Sequence, residues 1–266
     1  MIFQSPVEPI YYVLPLIGLL VGLFGSMVGG GGGLIFLPVL VLMLDIPAHT
    51  ALITSLVATL PISVFGSVAH YRKGNIHLKV AVMFALAGLF GALAGASIAH
   101  EFSDDGLMAG FGIYCICIGL YIIFSTRRLQ ILPQSPQAKK TISSRYKNKI
   151  KSSLFGFSSG VITGAFGTSG AAPLMAGLFS MNIPVKMVIG TSLAIVASNT
   201  LFAIGSHFFV SQIDMTLVIF LTSGSVLGAI IGPSLISRVK TDNSEVRIRY
   251  IFAVGICILG IIMIRG

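Results

Sequence analysis

The amino-acid sequence predicts an all-α polytopic membrane protein made of two inverted-topology repeats, each a glycine-broken helical hairpin followed by three transmembrane helices. The first observation is composition: of 266 residues, 55% are hydrophobic and 9% are charged, against about 25% charged residues in soluble domains. The second is a series of long uncharged runs, and the third is that the second half of the chain repeats the first. The first two observations exclude a soluble globular protein.

Uncharged runs account for the predicted spans, because a helix needs about 17 to 25 apolar residues to cross a bilayer. These runs are residues 10–28, 48–69, 80–99, 106–126, 187–209, 215–237 and 250–264. No Lys or Arg precedes the first run, so the basic segment of a cleaved signal peptide is missing. We therefore expect the first run to be retained.

The net charge of +9 does not indicate a nucleic-acid partner. The basic residues fall in the connections between apolar runs, where the positive-inside rule expects them, and no folded basic module accompanies them. The three cysteines, Cys115, Cys117 and Cys257, lie within uncharged runs, where cysteine behaves as a small apolar residue. We predict no disulfide, no metal site and no cofactor.

The internal repeat becomes visible when the chain is shifted on itself by 137 positions. Residues 44–97 then align with residues 181–234 without a gap, and about 12 of the 54 pairs are identical. The pairs include Thr54-Ser55-Leu56 with Thr191-Ser192-Leu193, His70 with His207, and Gly91, Ala92 and Gly95 with Gly228, Ala229 and Gly232. The sequence thus predicts a first repeat of residues 1–125, a basic linker of residues 126–151, and a second repeat of residues 152–266.

Each repeat opens with an apolar stretch that glycine interrupts, at residues 29–33 in the first and 167–170 in the second. The segments after the breaks, residues 33–44 and 171–182, would extend about 18 Å as helices. A hydrocarbon core is about 30 Å thick, so neither segment crosses it. Each stretch is therefore predicted to be a helix-loop-helix hairpin that returns to the side it entered.

Basic residues predict the orientation. If both hairpins return, 16 of the 17 Lys and Arg residues fall on one face of the membrane and only Arg265 lies opposite. The positive-inside rule puts that face, with the central linker, in the cytoplasm. Both termini are then outside. Three net crossings per repeat is an odd number, so the repeats are inverted, as in many secondary transporters.

The glycine breaks are the predicted binding site. Irregular backbone in a membrane is tolerated only where protein buries it or where it lines a watery cavity. A helix that restarts after a break presents unpaired N–H groups and a positive dipole end, and two such ends around one cavity form an anion site. The alternative is that the glycines only permit close helix packing. The predicted binding residues here are Gly29, Gly30, Gly31, Gly32, Gly33, Gly167, Thr168, Ser169 and Gly170.

Two hydroxyl pairs, Thr54-Ser55 and Thr191-Ser192, recur about two turns into the span after each hairpin. Such residues either line a substrate site or bond to carbonyls of their own or a neighbouring helix. Because the pairs occur in both repeats, we include all four in the predicted site. Asn199, further along the same span as Ser192, either contacts the substrate or joins two helices. Its counterpart is Ile62, so its contact would be one-sided.

Ionisable residues are few in the predicted spans. His70 and His207 end matching spans and are expected at opposite faces, too far apart for one metal site; they either titrate in a transport cycle or are hydrogen-bonded at the interface. Lys186 either attracts an anion to the cytoplasmic mouth or only snorkels. No Asp, Glu or Arg lies within a predicted span, so a carboxylate relay is not predicted.

At these residues the sequence resembles the TauE/SafE sulfite exporter family, also called TSUP. The resemblance covers essentially the whole chain and rests on the order and duplication of short motifs. They are the five-glycine break with Pro38, its copy with Pro173, and Gly190-Thr191-Ser192-Leu193 after Ile183-Pro184. The resemblance implies inverted repeats, the bacterial cytoplasmic (inner) membrane, and export of small sulfur-containing anions such as sulfite or organosulfonates. Ile53 stands where the second half has Gly190, a departure from the family pattern.

The leading functional hypothesis is a secondary transporter for a small oxyanion, bound between the two breaks at the membrane midplane. An anion channel of the same architecture is the alternative. An enzyme has little support, because no His-Glu-Xaa-Xaa-His motif and no paired intramembrane acids occur. The expected partners are the anion, the lipid bilayer and a coupling proton or sodium ion. Glycine faces at residues 88–95 and 224–232 pack helices either within one subunit or between two, which leaves a homodimer open.

Overall fold

The computed structural model describes residues 2–131, 149–181, 183–208, 211–235 and 244–265. Within these residues the chain forms ten α-helices, and the all-α class is confirmed. They are α1 (Leu14–Val28), α2 (Gly33–Leu44), α3 (Ala48–Arg72), α4 (Leu78–Glu101), α5 (Asp104–Ile131), α6 (Lys149–Phe166), α7 (Ala171–Ser180), α8 (Val185–His207), α9 (Met215–Leu235) and α10 (Ser244–Arg265). Residues 132–148 of the predicted linker lie outside the described part of the chain.

Strands are minimal in the described residues. β1 (Ile2–Phe3) pairs in parallel with β2 (Ile213–Asp214), and a 3-10 helix, Pro9–Val13, leads into α1. The N-terminal segment is thereby joined to the start of α9.

Six described helices are long and apolar enough to cross a membrane, so the polytopic class is confirmed. They are Pro9–Val28, Ala48–Arg72, Leu78–Glu101, Asp104–Arg127, Val185–His207 and Met215–Leu235. These helices coincide with six of the seven predicted runs. The seventh run lies in α10, whose apolar described part, Tyr250–Arg265, is counted among the shorter helices. The helices that follow the glycine breaks, α2 and α7, have 12 and 10 residues, which agrees with the predicted short segments.

Two compact units make up the chain. One comprises Met1–Asp104 and Lys149–Arg238, and the other Asp105–Asn148 and Val239–Gly266. Each unit therefore combines elements from both predicted repeats. In the second unit, α5 and α10 approach closely, with Gly112 against the backbone of Gly260. All the predicted binding residues lie in the first unit.

Within the first unit, α1 pairs with α9 and α6 pairs with α4. The contacts advance in the same direction along both partners: Gly18 meets Leu221 and Gly22 meets Ser225, while Gly156 meets Phe84 and Gly160 meets Gly88. Both pairs are parallel, and they join equivalent elements of opposite halves. The glycine faces of α4 and α9 are occupied within the subunit, since Gly91 lies against Phe157 and Gly228 against Leu19.

The central pair of the first unit, α3 and α8, runs antiparallel. Gly66 of α3 faces Leu193, and His70, one turn further on, faces Gly190, which precedes Leu193. These two helices occupy equivalent positions in the sequence repeat. The contacts thus place α3 and α8 side by side in opposite directions.

Candidate functional site

The two glycine breaks lie against each other. A methyl group placed on Gly33 would be 2.9 Å from Cα of Thr168 and 3.0 Å from the carbonyl oxygen of Gly167. A methyl group placed on Gly30 would be 3.8 Å from Cβ of Ala171. The start of α2 is thus brought against the break that precedes α7, and glycine is what permits the close approach.

Glycine is required at the breaks for a conformational reason as well. Gly29 has φ of 83° and closes α1, with its N–H donating to the carbonyl oxygen of Gly25, the usual left-handed end of a helix. Gly32 has φ of 118°, and Gly170 has φ of 53° just before α7. Residues other than glycine rarely adopt these backbone angles.

Unpaired donors gather where the breaks meet. Neither α2 nor α7 has a side-chain cap at its N-terminus, and the first N–H groups of a helix have no acceptor within it. The N–H groups of Thr168, Ser169 and Gly170 have no acceptor among the described residues. Two positive helix ends therefore point into one buried region.

Two hydroxyls at the breaks are also unsatisfied. Thr168 is fully buried, and its Oγ1 has no hydrogen-bond partner in the described part of the chain. The same holds for Oγ1 of Thr59, whose methyl carbon lies 3.2 Å from the place a side chain would take on Gly31. A buried hydroxyl without a partner costs about 1–3 kcal/mol. Both hydroxyls are available to a ligand.

Ser55 and Ser192 hold the breaks in place. Oγ of Ser55 lies 2.8 Å from the carbonyl oxygens of Gly167 and of Leu52 in its own helix, and its proton is shared between them. Oγ of Ser192 likewise lies 2.8 Å from the carbonyl oxygen of Gly29 and 2.9 Å from that of Ile189. Each serine thus binds the break of the opposite half. The carbonyl oxygens, which would repel an anion, are taken up by these hydroxyls.

Thr54 and Thr191 bind backbone further from the breaks. Oγ1 of Thr191 accepts a hydrogen bond of 2.9 Å from the N–H of His77, and Oγ1 of Thr54 accepts one of 3.3 Å from the N–H of Asp214. All four predicted hydroxyls are buried. Of the four, only the two serines contact the breaks through hydrogen bonds, while the two threonines bind the backbone of His77 and Asp214.

Asn199 reaches the second break through another side chain. It is buried, and its Nδ2 donates to Oγ of Ser159 at 3.3 Å. The carbonyl oxygen of Ser159 lies against Gly170. Oδ1 of Asn199 has no partner among the described residues, and the side chain packs on Gly88 of α4. Asn199 therefore joins α8 to α6 and α4.

The side chains in contact with the break glycines are uncharged. No lysine or arginine is buried among the side chains that the structure describes. The side chains that touch the break glycines belong to Val21, Phe36, Leu52, Thr59, Ile62, Ser63, Thr163, Ala171, Ser192 and Val196. A charged ligand here would meet only backbone dipoles and hydroxyls.

His70 and His207 bind carbonyl oxygens near the C-terminal ends of α1 and α6, the helices that precede the breaks. Nε2 of His207 donates to the carbonyl oxygen of Gly164 at 2.7 Å, and Nε2 of His70 donates to that of Ser26 at 3.4 Å. Each carbonyl lies two residues before the end of its helix, where acceptors lack helical partners. The described residues contain no group of three or more His, Cys, Asp or Glu side chains placed to hold a metal ion.

Comparison with known proteins decides the family. The family described as Sulfite exporter TauE/SafE matches residues 14–263. A Bacillus subtilis (strain 168) protein named "Probable membrane transporter protein YdhB" is 30% identical over 230 residues, which are 84% of this chain and 87% of the relative. A "Probable membrane transporter protein" of Xylella fastidiosa (strain 9a5c) is 27% identical over 228 residues, 85% of each chain. No solved structure matches.

The chain belongs to the TauE/SafE sulfite exporter family. The relatives' names and the six candidate spans identify it as a membrane transporter. In this TauE/SafE family member, the two glycine breaks lie in the first unit and contact each other there.

One buried residue near the site was missed by the sequence reasoning. Asp214 lies just before the predicted run of residues 215–237 and is fully buried. Its Oδ1 accepts hydrogen bonds from the N–H groups of Thr216 and Leu217, at 3.0 and 3.4 Å, so it caps α9. An aspartate directly before an apolar run is a recognised start signal for a helix, which was the available clue.

Proposed function

We propose that this membrane transporter carries a small oxyanion, such as sulfite or a sulfonate, bound between the two glycine breaks near the membrane midplane. The observation that carries the proposal is that the N-terminus of α2 lies against the backbone of Thr168, three residues before α7, and that the buried hydroxyl of Thr168 has no partner among the described residues. N–H groups at helix ends bind anions, and a hydroxyl without a partner can donate to one.

The site residues have distinct roles in this proposal. The N–H groups of Gly33 and of Thr168 to Gly170, with the hydroxyls of Thr168, Ser169 and Thr59, contact the anion. The N–H groups of Gly30, Gly31 and Gly32 instead donate to carbonyl oxygens of Gly25 and Gly30 and shape the first break. Ser55 and Ser192 are positioning residues, because each shares its proton between a carbonyl of a break and a carbonyl of its own helix. Thr54, Thr191 and Asn199 support the helices that carry the site.

The proposed transport mechanism uses inverted repeats in the bacterial cytoplasmic membrane. The antiparallel run of α3 and α8 supports this proposal. The first unit also has two distinguishable ends. One end carries β1, β2, Thr54 and Asp214, and there the carboxylate of Asp104 accepts a hydrogen bond from the N–H of His49. Lys73 binds the carbonyl of Pro233 at the other end. With the central basic linker in the cytoplasm, the end that carries Lys73 faces the cytoplasm and both termini are outside.

Flux measurements on purified protein in lipid vesicles test the proposal. Wild-type vesicles should release sulfite at a rate that saturates with concentration and that responds to a proton or sodium gradient. Large single-channel currents would instead identify an anion channel. Removing the hydroxyl with Thr168→Val should lower the transport rate at low sulfite about tenfold, as expected for one lost hydrogen bond to a charged group.

Matched variants separate binding from folding. Thr168→Ser keeps the hydroxyl and should retain transport, while Gly170→Leu should abolish it because φ of 53° and the adjacent Ser159 carbonyl leave no room for a side chain. Monodisperse Thr168→Val protein that transports sulfite at the wild-type rate would contradict this placement of the site.

A further inference from the structure

The positive potential at the meeting point of the breaks amounts to about one elementary charge. Each helix N-terminus carries roughly half a positive charge, and both α2 and α7 are long enough to develop it. The N-terminal ends are adjacent, because Gly33 begins α2 directly against Thr168 and the start of α7. The buried hydroxyl of Thr168, which has no partner among the described residues, marks the place for a ligand.

Nothing else that the structure describes adds positive charge to this region. The side chains that touch the breaks are neutral, and the described lysines and arginines are all at least partly exposed. Lys73, at the end of α3, is engaged with the carbonyl of Pro233 at 2.8 Å and with Oγ of Ser234. Thus the two helix ends are the whole source of positive potential that these residues provide.

An anion with two charges is poorly matched to such a site. The desolvation cost of an ion grows with the square of its charge, so a dianion costs about four times as much as a monoanion of the same size. Two helix ends balance one charge of the ligand, and the second charge would remain uncompensated in a medium of low dielectric constant. A monoanion has about a quarter of that desolvation cost, and no charge of it is left uncompensated.

We propose that the site selects singly charged oxyanions and excludes dianions. This inference rests on the proposed function, since it assumes that the anion binds between the breaks. For sulfite, the species bound is then the hydrogen sulfite ion. Sulfonates without a second acidic group carry one charge near neutral pH and fit the site, whereas sulfate and thiosulfate carry two charges and do not. The dependence of transport on pH would follow the protonation of the substrate.

A pair of probes with the same shape tests the charge preference. Methanesulfonate carries one charge throughout the neutral range, while methylphosphonate gains a second charge as the pH rises. Binding of each probe to the full-length protein in detergent is measured by thermal shift and calorimetry, below and above the pH at which methylphosphonate loses its second proton. Sulfite at the same two pH values provides a second pair without the methyl group.

The expected result is that singly charged methylphosphonate binds within about tenfold of methanesulfonate and that its doubly charged form binds at least about 100-fold more weakly. Methanesulfonate, which controls for titration of the protein, should bind equally at both pH values. Thr168→Val should weaken the singly charged probes about tenfold, and Thr168→Ser should not.

Two results would overturn the inference in different ways. If the dianionic forms of methylphosphonate and sulfite bind as tightly as the monoanionic forms, the charge selectivity is wrong and the anion site stands. If none of the probes binds at either pH, or if Thr168→Val leaves the affinity of every probe unchanged, the proposed anion site itself is wrong.

Discussion

At the scale of single residues, the hydroxyls of two serines hold the breaks in place by hydrogen bonds. Ser192 donates to the Gly29 carbonyl and Ser55 to the Gly167 carbonyl, both at 2.8 Å and both in buried surroundings. Each bond crosses from one half of the chain to the other. The pair therefore couples the shape of each break to the position of the opposite central helix.

Removing these hydroxyls should destabilise the protein and weaken transport together. We expect Ser192→Ala and Ser55→Ala each to lower the free energy of unfolding by about 1–3 kcal/mol, because a buried carbonyl loses its partner. Thermal unfolding in detergent and vesicle flux measure the two effects. Ser223→Ala is the control, since exposed Ser223 bonds only within its own helix. Equal stability of Ser192→Ala and Ser223→Ala would show that the bond to Gly29 is unimportant.

Neighbouring glycines in one break should respond differently to the same methyl group. Gly33→Ala places a carbon 2.9 Å from Cα of Thr168, whereas Gly30→Ala meets only the side chain of Ala171 at 3.8 Å. We expect Gly33→Ala to reduce sulfite transport at least tenfold, which corresponds to about 1.4 kcal/mol, and Gly30→Ala to retain it. If both variants transport equally well, close contact between the breaks is not needed for function.

At the scale of helices, the two parallel pairs depend on glycine for contact. A side chain on Gly22 of α1 would overlap the carbonyl of Ser225 on α9, and one on Gly160 of α6 would overlap the carbonyl of Gly88 on α4. Small residues let helix backbones approach closely in membranes, where no hydrophobic force drives helices together. The equivalence of the two pairs follows from the sequence repeat.

Equivalent substitutions in the two pairs should therefore have equivalent effects. Gly22→Ala and Gly160→Ala are each expected to cost about 1–3 kcal/mol of stability, as overpacking against a backbone does. Thermal unfolding in detergent should show similar losses for both. Gly205→Ala in α8 is the control, because nothing lies within 4 Å of the added carbon. A large loss in one variant alone would mean that the two halves do not share the same packing.

At the scale of the whole molecule, the proposed orientation can be read from two exposed positions in the first unit. Glu8 precedes the 3-10 helix, near the end where β1 meets β2, and Arg72 ends α3 beside Lys73. Both side chains are exposed. The positive-inside rule places Arg72 in the cytoplasm and Glu8 outside.

Labelling with a membrane-impermeant maleimide tests this orientation. In a chain whose Cys115, Cys117 and Cys257 are replaced by alanine, Glu8→Cys should react in intact cells and Arg72→Cys only in inside-out vesicles. Reaction of both positions from one side would refute the predicted number of crossings. An exchange of the two patterns would keep that number and reverse the orientation.

Much of this architecture was predictable because hydrophobic length and repetition are local properties of a sequence. The six candidate spans coincide with predicted runs, and both short helices begin at the predicted breaks. The contact between the breaks was also expected, since irregular backbone in a membrane must be buried or line a cavity. The roles of individual residues were harder to predict from the sequence. Asn199 and Ser192 are alike in the sequence as buried polar residues, yet only Ser192 bonds directly to a break.

By itself, the sequence determined that the chain is a helical membrane protein and where its spans and breaks lie, and it predicted that its two halves are related. These features follow from hydropathy, chain length and glycine content, which need no knowledge of distant contacts. Only the tertiary structure decided which polar groups are used and which are free. It assigned the protons of Ser55 and Ser192 to carbonyls, left Thr59 and Thr168 without partners among the described residues, and buried Asp214 as a helix cap. Whether a buried hydroxyl is satisfied depends on groups more than 100 residues away in the chain, such as Ser192 and Gly29 at a separation of 163.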